Sequence, residues 1–234
     1  MLDREMSIEK PEIEAITFDA AGTLIHLAEP VGVSYSRVAE RHGIFSKPEE
    51  LDKAFRKVWK QTPLPFDDAA PRDPNERVWW KRIVRSVFLE SGATLPGEDT
   101  FSEFFDDLYE HFESPGTWLV DPAAKSVLEK AGKKYRLAVL SNFDARLRRI
   151  LRDLELLDQF EAVVLSCETG ASKPDPKMFE RVAGELGLPA QSILHVGDDP
   201  RCDGEGSMQA GFRHFRVGKT GKPLLKLIDE LSLA

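Results

Sequence analysis

Cysteine and long apolar runs are both scarce in this chain. Cys167 and Cys202 are its only cysteines among 234 residues, too few for a disulfide framework and in keeping with a reducing compartment. They stand far apart in sequence and the 5 histidines are scattered, so nothing suggests a zinc site. No apolar run approaches the roughly 20 residues that a membrane-spanning helix needs. The opening stretch, MLDREMSIEKPEIEA, is polar and lacks the apolar core of a signal peptide. Internal repeats and low-complexity segments are missing too. Basic charge is in deficit, with 32 Lys and Arg against 40 Asp and Glu and a net charge of −8. A surface that acidic repels phosphate backbones, so no nucleic acid is expected as a partner. A small phosphorylated substrate is still admissible, because a local site can be cationic on an acidic protein. The expected setting is cytosolic, with no membrane partner.

What remains is an ordinary globular composition, 41% hydrophobic and 31% charged, long enough for a large domain with a smaller insert. A polar lead-in over residues 1–12 precedes a first strand at Ile13–Phe18. From about Pro30 to Glu113 the period is helical. Tyr35, Val38, Ala39 and His42 share one face, closed by Gly43. Leu51, Ala54, Phe55, Val58 and Trp59 form a second stripe. Val78, Trp79, Ile83, Val87 and Phe88 form a third, ending at Gly92. Phe101, Phe104, Phe105, Leu108 and Phe112 form a fourth. Residues 61–75 between the second and third have no period and read as a loop. Ser114–Thr117 is the expected hinge back to the core.

From Pro122 onward, helices and short apolar strands alternate. Helices at Ala123–Lys130, Ala145–Leu154, Pro176–Leu186 and Gly204–Ala210 lead to strands at Arg136–Leu140, Ala162–Leu165, Ser192–Val196 and Phe212–Val217. A last helix spans Lys222–Leu231. That alternation predicts an α/β fold: a doubly wound, Rossmann-like parallel sheet with an inserted all-helical unit. The expected division is residues 1–28 plus 115–234 for the core and 29–114 for the helical cap.

The strand ends carry the chemistry. The first strand stops at Asp19, the next runs into Ser141-Asn142-Phe143-Asp144, and Ser172-Lys173-Pro174 follows the third. Asp198-Asp199-Pro200-Arg201-Cys202-Asp203 follows the fourth. A parallel sheet collects these ends on one rim. Carboxylates there suit a hard cation such as Mg²⁺. A lysine and a hydroxyl suit phosphate oxygens, and one carboxylate is left to attack phosphorus.

With these four motifs in order from Asp19 to Asp203, the chain resembles the haloacid dehalogenase-like hydrolase superfamily. The insert resembles that family's C1 cap. Ser141–Asp144, Trp79-Trp80 and Thr117-Trp118 resemble most the rhythmically-expressed-gene-2-like branch. The resemblance implies that Asp19 is nucleophile and metal ligand, with the Ala21 carbonyl, Asp198 and Asp203 completing a Mg²⁺ site. It implies that Ser141, Asn142 and Lys173 hold the phosphate, and that Lys173 also serves catalysis.

One position departs from the family pattern. The family's phosphatases carry a second aspartate two residues after the nucleophile, where this chain has Ala21. Losing a positioned acid–base group typically costs about 10²–10⁴ in rate. Three readings follow: a phosphate whose leaving group needs little help, such as an acyl or aryl phosphate; a substitute group such as His26; or a phospho-ligand-binding site that turns over poorly. Phosphonoacetaldehyde hydrolases are similar in having alanine there, but they need a cap lysine, for which Lys53, Lys57 and Lys60 stand in the right region. The 2-haloacid dehalogenases also use a lone aspartate, and the Asp198/Asp203 pair argues against that chemistry. Among neighbours, His195 is expected to pack in the core, Asp144 to cap the following helix and Asp199 to be solvated. Cys202 is expected to be packing, and Asp203 to be either ligand or N-cap. One of Trp79 and Trp80 is expected to reach the cleft or an interface.

Overall fold

The computed structural model describes residues 12–63, 76–218 and 221–233. The polar lead-in and most of the loop expected at 61–75 lie outside the described residues. Strands β1 (Ala15–Phe18), β4 (Arg136–Ser141), β5 (Ala162–Leu165), β6 (Ile193–Gly197) and β7 (Arg213–Arg216) form one parallel sheet in the order β5-β4-β1-β6-β7. The chain fills one side of β1 before crossing to the other, which makes the end of β1 the switch point where such sheets bind ligands.

Period-2 alternation covers both sheet faces. Ile16, Phe18, Leu137, Val139 and Val196 pack with α5 (Ala124–Gly132), α6 (Arg146–Asp153) and α10 (Lys226–Glu230). Ala15, Ala138, Leu140 and Ile193 pack on the other face with α8 (Pro176–Leu186). Strands buried on both faces read as continuous apolar runs, as these do. Asp175 caps α8 by accepting from the Lys177 backbone N–H at 2.9 Å, and Gly187 ends it in the left-handed region.

The helical unit consists of α1 (Val31–Glu40), α2 (Pro48–Gln61), α3 (Arg77–Glu90) and α4 (Glu98–His111). It has its own core, built from Tyr35, Leu51, Ile83, Phe88, Phe104 and Leu108 among others. Two stripe residues fall outside that core: Val78 is 68% and Trp59 43% exposed. The phase of α3 is fixed by Trp79, Ile83 and Val87 at i, i+4 spacing, which turns Val78 to solvent. At Gly32 the first two helices touch, since a Cβ there would lie 2.0 Å from the Pro48 carbonyl oxygen.

Both crossings between core and cap are joined. Residues Ile25–Leu27 (β2) pair antiparallel with Trp118–Val120 (β3), His26 opposite Leu119. The pairing extends through Ala28 N–H to the Thr117 carbonyl at 2.9 Å and Asp121 N–H to the Leu24 carbonyl at 2.8 Å. Three-residue strands carry no usable period, and the sequence reading missed them. The expected hinge at Ser114–Thr117 forms a turn with Gly116 at φ 86°, and the Thr117 hydroxyl donates to the His111 carbonyl at 2.8 Å. Shorter elements sit at the rim. A four-residue helix, α7 (Ser166–Thr169), follows β5, and a π-helical turn at Pro200–Glu205 runs into α9 (Gly206–Gln209) where a single helix was expected.

Gly32→Ala is expected to destabilise the protein by about 1–3 kcal/mol, because the overlap is with backbone that no rotamer change relieves. Urea unfolding of the variant against wild type checks this; equal midpoints would contradict the contact.

Candidate active site

Asp19, Ser141, Lys173, Asp198 and Asp203 meet at the C-terminal rim of the sheet, although they come from separate parts of the chain. Lys173 is 1% exposed. Its ammonium donates to Asp19 Oδ1 at 2.8 Å, to the Leu140 carbonyl at 2.8 Å and to Asp203 Oδ1 at 2.6 Å. The Ser141 hydroxyl donates to the same Asp19 Oδ1 at 3.0 Å. All described hydrogen bonds to the Asp19 side chain thus end on one of its two oxygens.

Burial raises the pKa of Asp19 to about 6, with Lys173 opposing and Asp203 and Asp198 adding to the rise. Burial also works against ionised Asp203, but Lys173 and His195 more than offset it and hold this carboxyl well below the usual range. For Lys173 itself, burial disfavours the charge and the Asp19 and Asp203 carboxylates outweigh it, so its pKa rises. Asp198 is raised, first by burial and then by Asp203 and Asp199.

His195 lies on the same sheet face as Thr17 and is fully buried. Its Nε2 is 3.1 Å from Asp203 Oδ1 and its Nδ1 2.9 Å from the Thr17 hydroxyl. An ionised carboxylate only accepts, so Nε2–H donates to Asp203 and Nδ1 accepts from Thr17. Burial lowers the His195 pKa to about 4, which keeps the ring neutral. The histidine is packed in the core as expected, but it also positions Asp203. Asp203 also accepts the Asp199 backbone N–H, through Oδ2 at 2.9 Å. The N-cap role weighed for Asp203 belongs to Asp199, whose Oδ1 accepts from the N–H groups of Arg201 and Cys202 at 2.9 and 2.7 Å. Asp199 is therefore a cap and not merely a solvated neighbour, because Pro200 starts the π-helical turn directly after it.

Missing side chains shape the rim too. A Cβ on Gly197 would lie 2.3 Å from the Asp203 carboxyl carbon, and one on Gly22 would lie 2.8 Å from both Asp198 carboxylate oxygens. Carboxylate oxygens of Asp19, Asp198 and Asp203 approach within 4.8 Å of one another. Three acidic groups face one lysine, all donors are oxygen, and two of the carboxyls are held above their ordinary pKa. That donor set fits a hard divalent cation.

Several candidates have other duties. Asn142 donates to the Lys173 carbonyl at 2.9 Å and accepts the Lys173 N–H at 2.7 Å. Its amide fixes the Lys173 loop and keeps a second N–H on the side that lines the chamber. His26 pairs with Asp121 at 3.2 Å and is not among the residues that line the cleft. Lys53 and Lys57 pair with Glu50 and Glu90 on the cap exterior. No lysine of the cap lines the cleft among the described residues, which removes the support for a Schiff-base route. Burial pushes the Cys202 thiol up to about 12, consistent with packing rather than reactivity.

Between rim and cap lies a chamber of about 440 Å³ that reaches Asp19, Ala21 and Lys173 below and Trp59, Trp79 and Trp80 above. A latch across it was missed in the sequence. Arg146 grips Asp144 with two bonds of 2.8 and 2.7 Å, donates to the Tyr109 carbonyl at 3.0 Å and stacks 3.6 Å from that ring's centroid. The Trp80 indole N–H donates to Asp144 Oδ2 at 3.0 Å. Asp144 also accepts the Arg146 backbone N–H, so the expected helix-start role holds beside the latch. Both tryptophans of the pair line the chamber, not one, because Trp79 packs edge-on against Trp80 with centroids 4.9 Å apart.

Among the described residues, no helix is long and apolar enough to cross a membrane. The chain is 35% identical to the mouse haloacid dehalogenase-like hydrolase domain-containing protein 3 over 208 residues, 88% of this chain and 82% of that one. It is 28% identical to the Drosophila melanogaster Rhythmically expressed gene 2 protein over 214 residues, 86% of this chain and 82% of the relative. A HAD phosphatase from Thermococcus onnurineus superposes with a TM-score of 0.64 at 20% identity, covering 94% of this chain and 99% of its own. The L-2-haloacid dehalogenase of Xanthobacter autotrophicus superposes at 0.68 with 21% identity, covering 95% and 84%. Neighbours with both activities share the fold, so the fold does not choose between them. A family model described as haloacid dehalogenase-like hydrolase matches residues 13–211, and the chain belongs to that family.

Proposed function

We propose that this hydrolase is a Mg²⁺-dependent phosphatase of a small phosphorylated metabolite, working through an aspartyl-phosphate on Asp19. The observation that carries the reading is the one-sided hold on Asp19. Ser141 and Lys173 both bind Oδ1, which orients the carboxylate and leaves Oδ2 for attack on phosphorus. In the ester complex the Ser141 and Lys173 protons that now bind Asp19 Oδ1 would be shared with the non-bridging phosphate oxygens, where negative charge concentrates. Asp19, Asp198, Asp203 and the Ala21 carbonyl are the groups that would hold Mg²⁺. When bound, the ion offsets the negative charge that phosphate and nucleophile bring together. Asn142 holds the Lys173 loop in register. His195 and Thr17 fix Asp203, and the cap excludes water from the chamber. Retention of three clustered carboxylates supports attack on phosphorus over displacement at carbon.

Ala21 supports a second reading, a phospho-ligand-binding protein on a weakened catalytic site. Hydrolysis of p-nitrophenyl phosphate and acetyl phosphate with Mg²⁺ separates the two. Wild type is expected to turn over both, and Asp19→Asn neither. Ala21→Asp is expected to gain on esters with poor leaving groups, up to about 10²-fold. Wild-type turnover that persists in Asp19→Asn, or its absence altogether, would sink the phosphatase.

The ion is tested without activity. Mg²⁺ at tenfold its dissociation constant is expected to stabilise wild type by about 1.4 kcal/mol, read as a rise in melting temperature that EDTA reverses. Asp198→Asn and Gly22→Ala are expected to lose the rise, the first by removing a ligand and the second by displacing it. An equal rise in all three proteins would place the ion elsewhere.

A further inference from the structure

The chamber above Asp19 is walled by rings. Phe55, Trp59 and Trp80 lie in a staggered stack, with centroids 5.7 Å and 5.9 Å apart and interplanar angles of 20° and 23°. Tyr109, Trp118 and Phe143 continue the wall. Most polar groups that reach this wall are already engaged, the Ser172 hydroxyl beside Lys173 being an exception. The Trp80 indole binds Asp144, the Arg146 guanidinium binds Asp144 and the Tyr109 carbonyl, and the Asn142 amide binds the Lys173 backbone. Among the described residues, the cap adds Glu76 to the chamber and neither lysine nor arginine. A sugar or polyol would lose water there and recover few of its hydrogen bonds, and a second anion would meet the Glu76 carboxyl. A flat apolar group meets faces of its own kind.

A separate observation concerns the bond that breaks. Beside Asp19 the chain offers a methyl group at Ala21. Asp144 is locked to Arg146, and Asp199 to the turn that follows it. No described core carboxylate outside the Asp19–Asp198–Asp203 cluster is left to protonate a departing oxygen, and Glu76 of the cap has interactions of its own, so the favoured ester is one whose oxygen leaves as a stable anion.

We propose that the substrate is an aryl phosphate monoester, a phosphate on a phenolic oxygen, with its ring seated against Trp59 and Trp80. This rests on the phosphatase reading above. Asp19 Oδ2 forms a bond to phosphorus as the bond from phosphorus to the phenolic oxygen breaks, and the electron pair leaves on the phenolate. Water then attacks the phosphorus, the acyl-phosphate bond breaks, and Asp19 returns as carboxylate. One proton of that water ends on the phenol and the other on inorganic phosphate, so the sum is ester plus water giving phenol and phosphate.

The test compares kcat/KM of the full chain with Mg²⁺ on phenyl phosphate, on hexyl phosphate and on ringless acetyl phosphate. Phenyl phosphate is expected to exceed hexyl phosphate by about 10² or more, since the cost of a missing acid falls on the alkoxide. Its KM is expected to lie roughly 3–10-fold below that of acetyl phosphate, and Trp59→Leu to shrink that gap by a similar factor. Trp59 is 43% exposed, so the variant is expected to fold, which its melting curve verifies. Hexyl phosphate within tenfold of phenyl phosphate would overturn the proposal by revealing an acid. So would a gap between phenyl and acetyl phosphate that Trp59→Leu leaves in place. Either result leaves the phosphatase standing if Asp19→Asn remains inactive. If none of the esters shows Asp19-dependent turnover, the phosphatase reading and this proposal fall together.

Discussion

The rest of the structure depends on keeping one ammonium charged where water does not reach. An isolated buried charge is prohibitively costly, and it survives only with its hydrogen bonds complete and a counter-charge in contact. Lys173 has three protons to donate and three acceptors that take them: Asp19, Asp203 and the Leu140 carbonyl. These come from the end of β1, the turn after β6 and the end of β4, three adjacent strands of the sheet. The lysine therefore ties together the edge on which the chemistry stands. Removing either carboxylate would leave the charge short of a partner, so structural and chemical demands fall on the same residues.

That arrangement leaves a surplus of negative charge. Asp19, Asp198 and Asp203 share one neighbourhood, and a single lysine does not neutralise three carboxylates. Burial raises the pKa of Asp19 and Asp198 and the neighbouring carboxylates add to the rise, while Asp203, held by Lys173 and His195, is depressed. Rim glycines keep the carboxylates close. At Gly197 and Gly22 any side chain would occupy the space that Asp203 and Asp198 fill. A divalent cation would offset such a cluster directly, so that a phosphate dianion would approach a site near neutral.

How much of this the sequence carried depended on distance along the chain. Strands β1, β4, β5, β6 and β7 are legible because residues buried on both faces leave short apolar runs between helical stretches. Asp19, Ser141 and Asp198 are legible because each sits at a strand end, and Lys173 and Asp203 because they follow β5 and β6 on the same rim. The β2–β3 pair is not legible, since each strand has three residues and its partner lies more than 90 positions away. The same holds for the latch. Trp80 finds Asp144 across 64 residues and Arg146 finds Tyr109 across 37, and no local pattern announces either. Asp199 and Asp203 were told apart only by three-dimensional partners, because both are aspartates near a helix start. Asn142 likewise has a loop-fixing role that only its three-dimensional partners show.

The latch also explains how one small chamber combines a polar floor and an apolar roof. Arg146 brings a permanent charge into the wall between core and cap, and Asp144, the Tyr109 carbonyl and the Tyr109 ring absorb it at once. The result is a cap held down by strong, directional contacts that leave little hydrogen-bonding capacity facing inward. Closure strength and apolar lining are thus the same design: the polar groups that fasten the cap are the ones a hydrophilic ligand would otherwise have used. On the aryl phosphate proposal, the substrate carries its affinity at two ends, charge at the phosphate and ring surface at the leaving group, and the methyl group at position 21 asks that the leaving group depart as an anion.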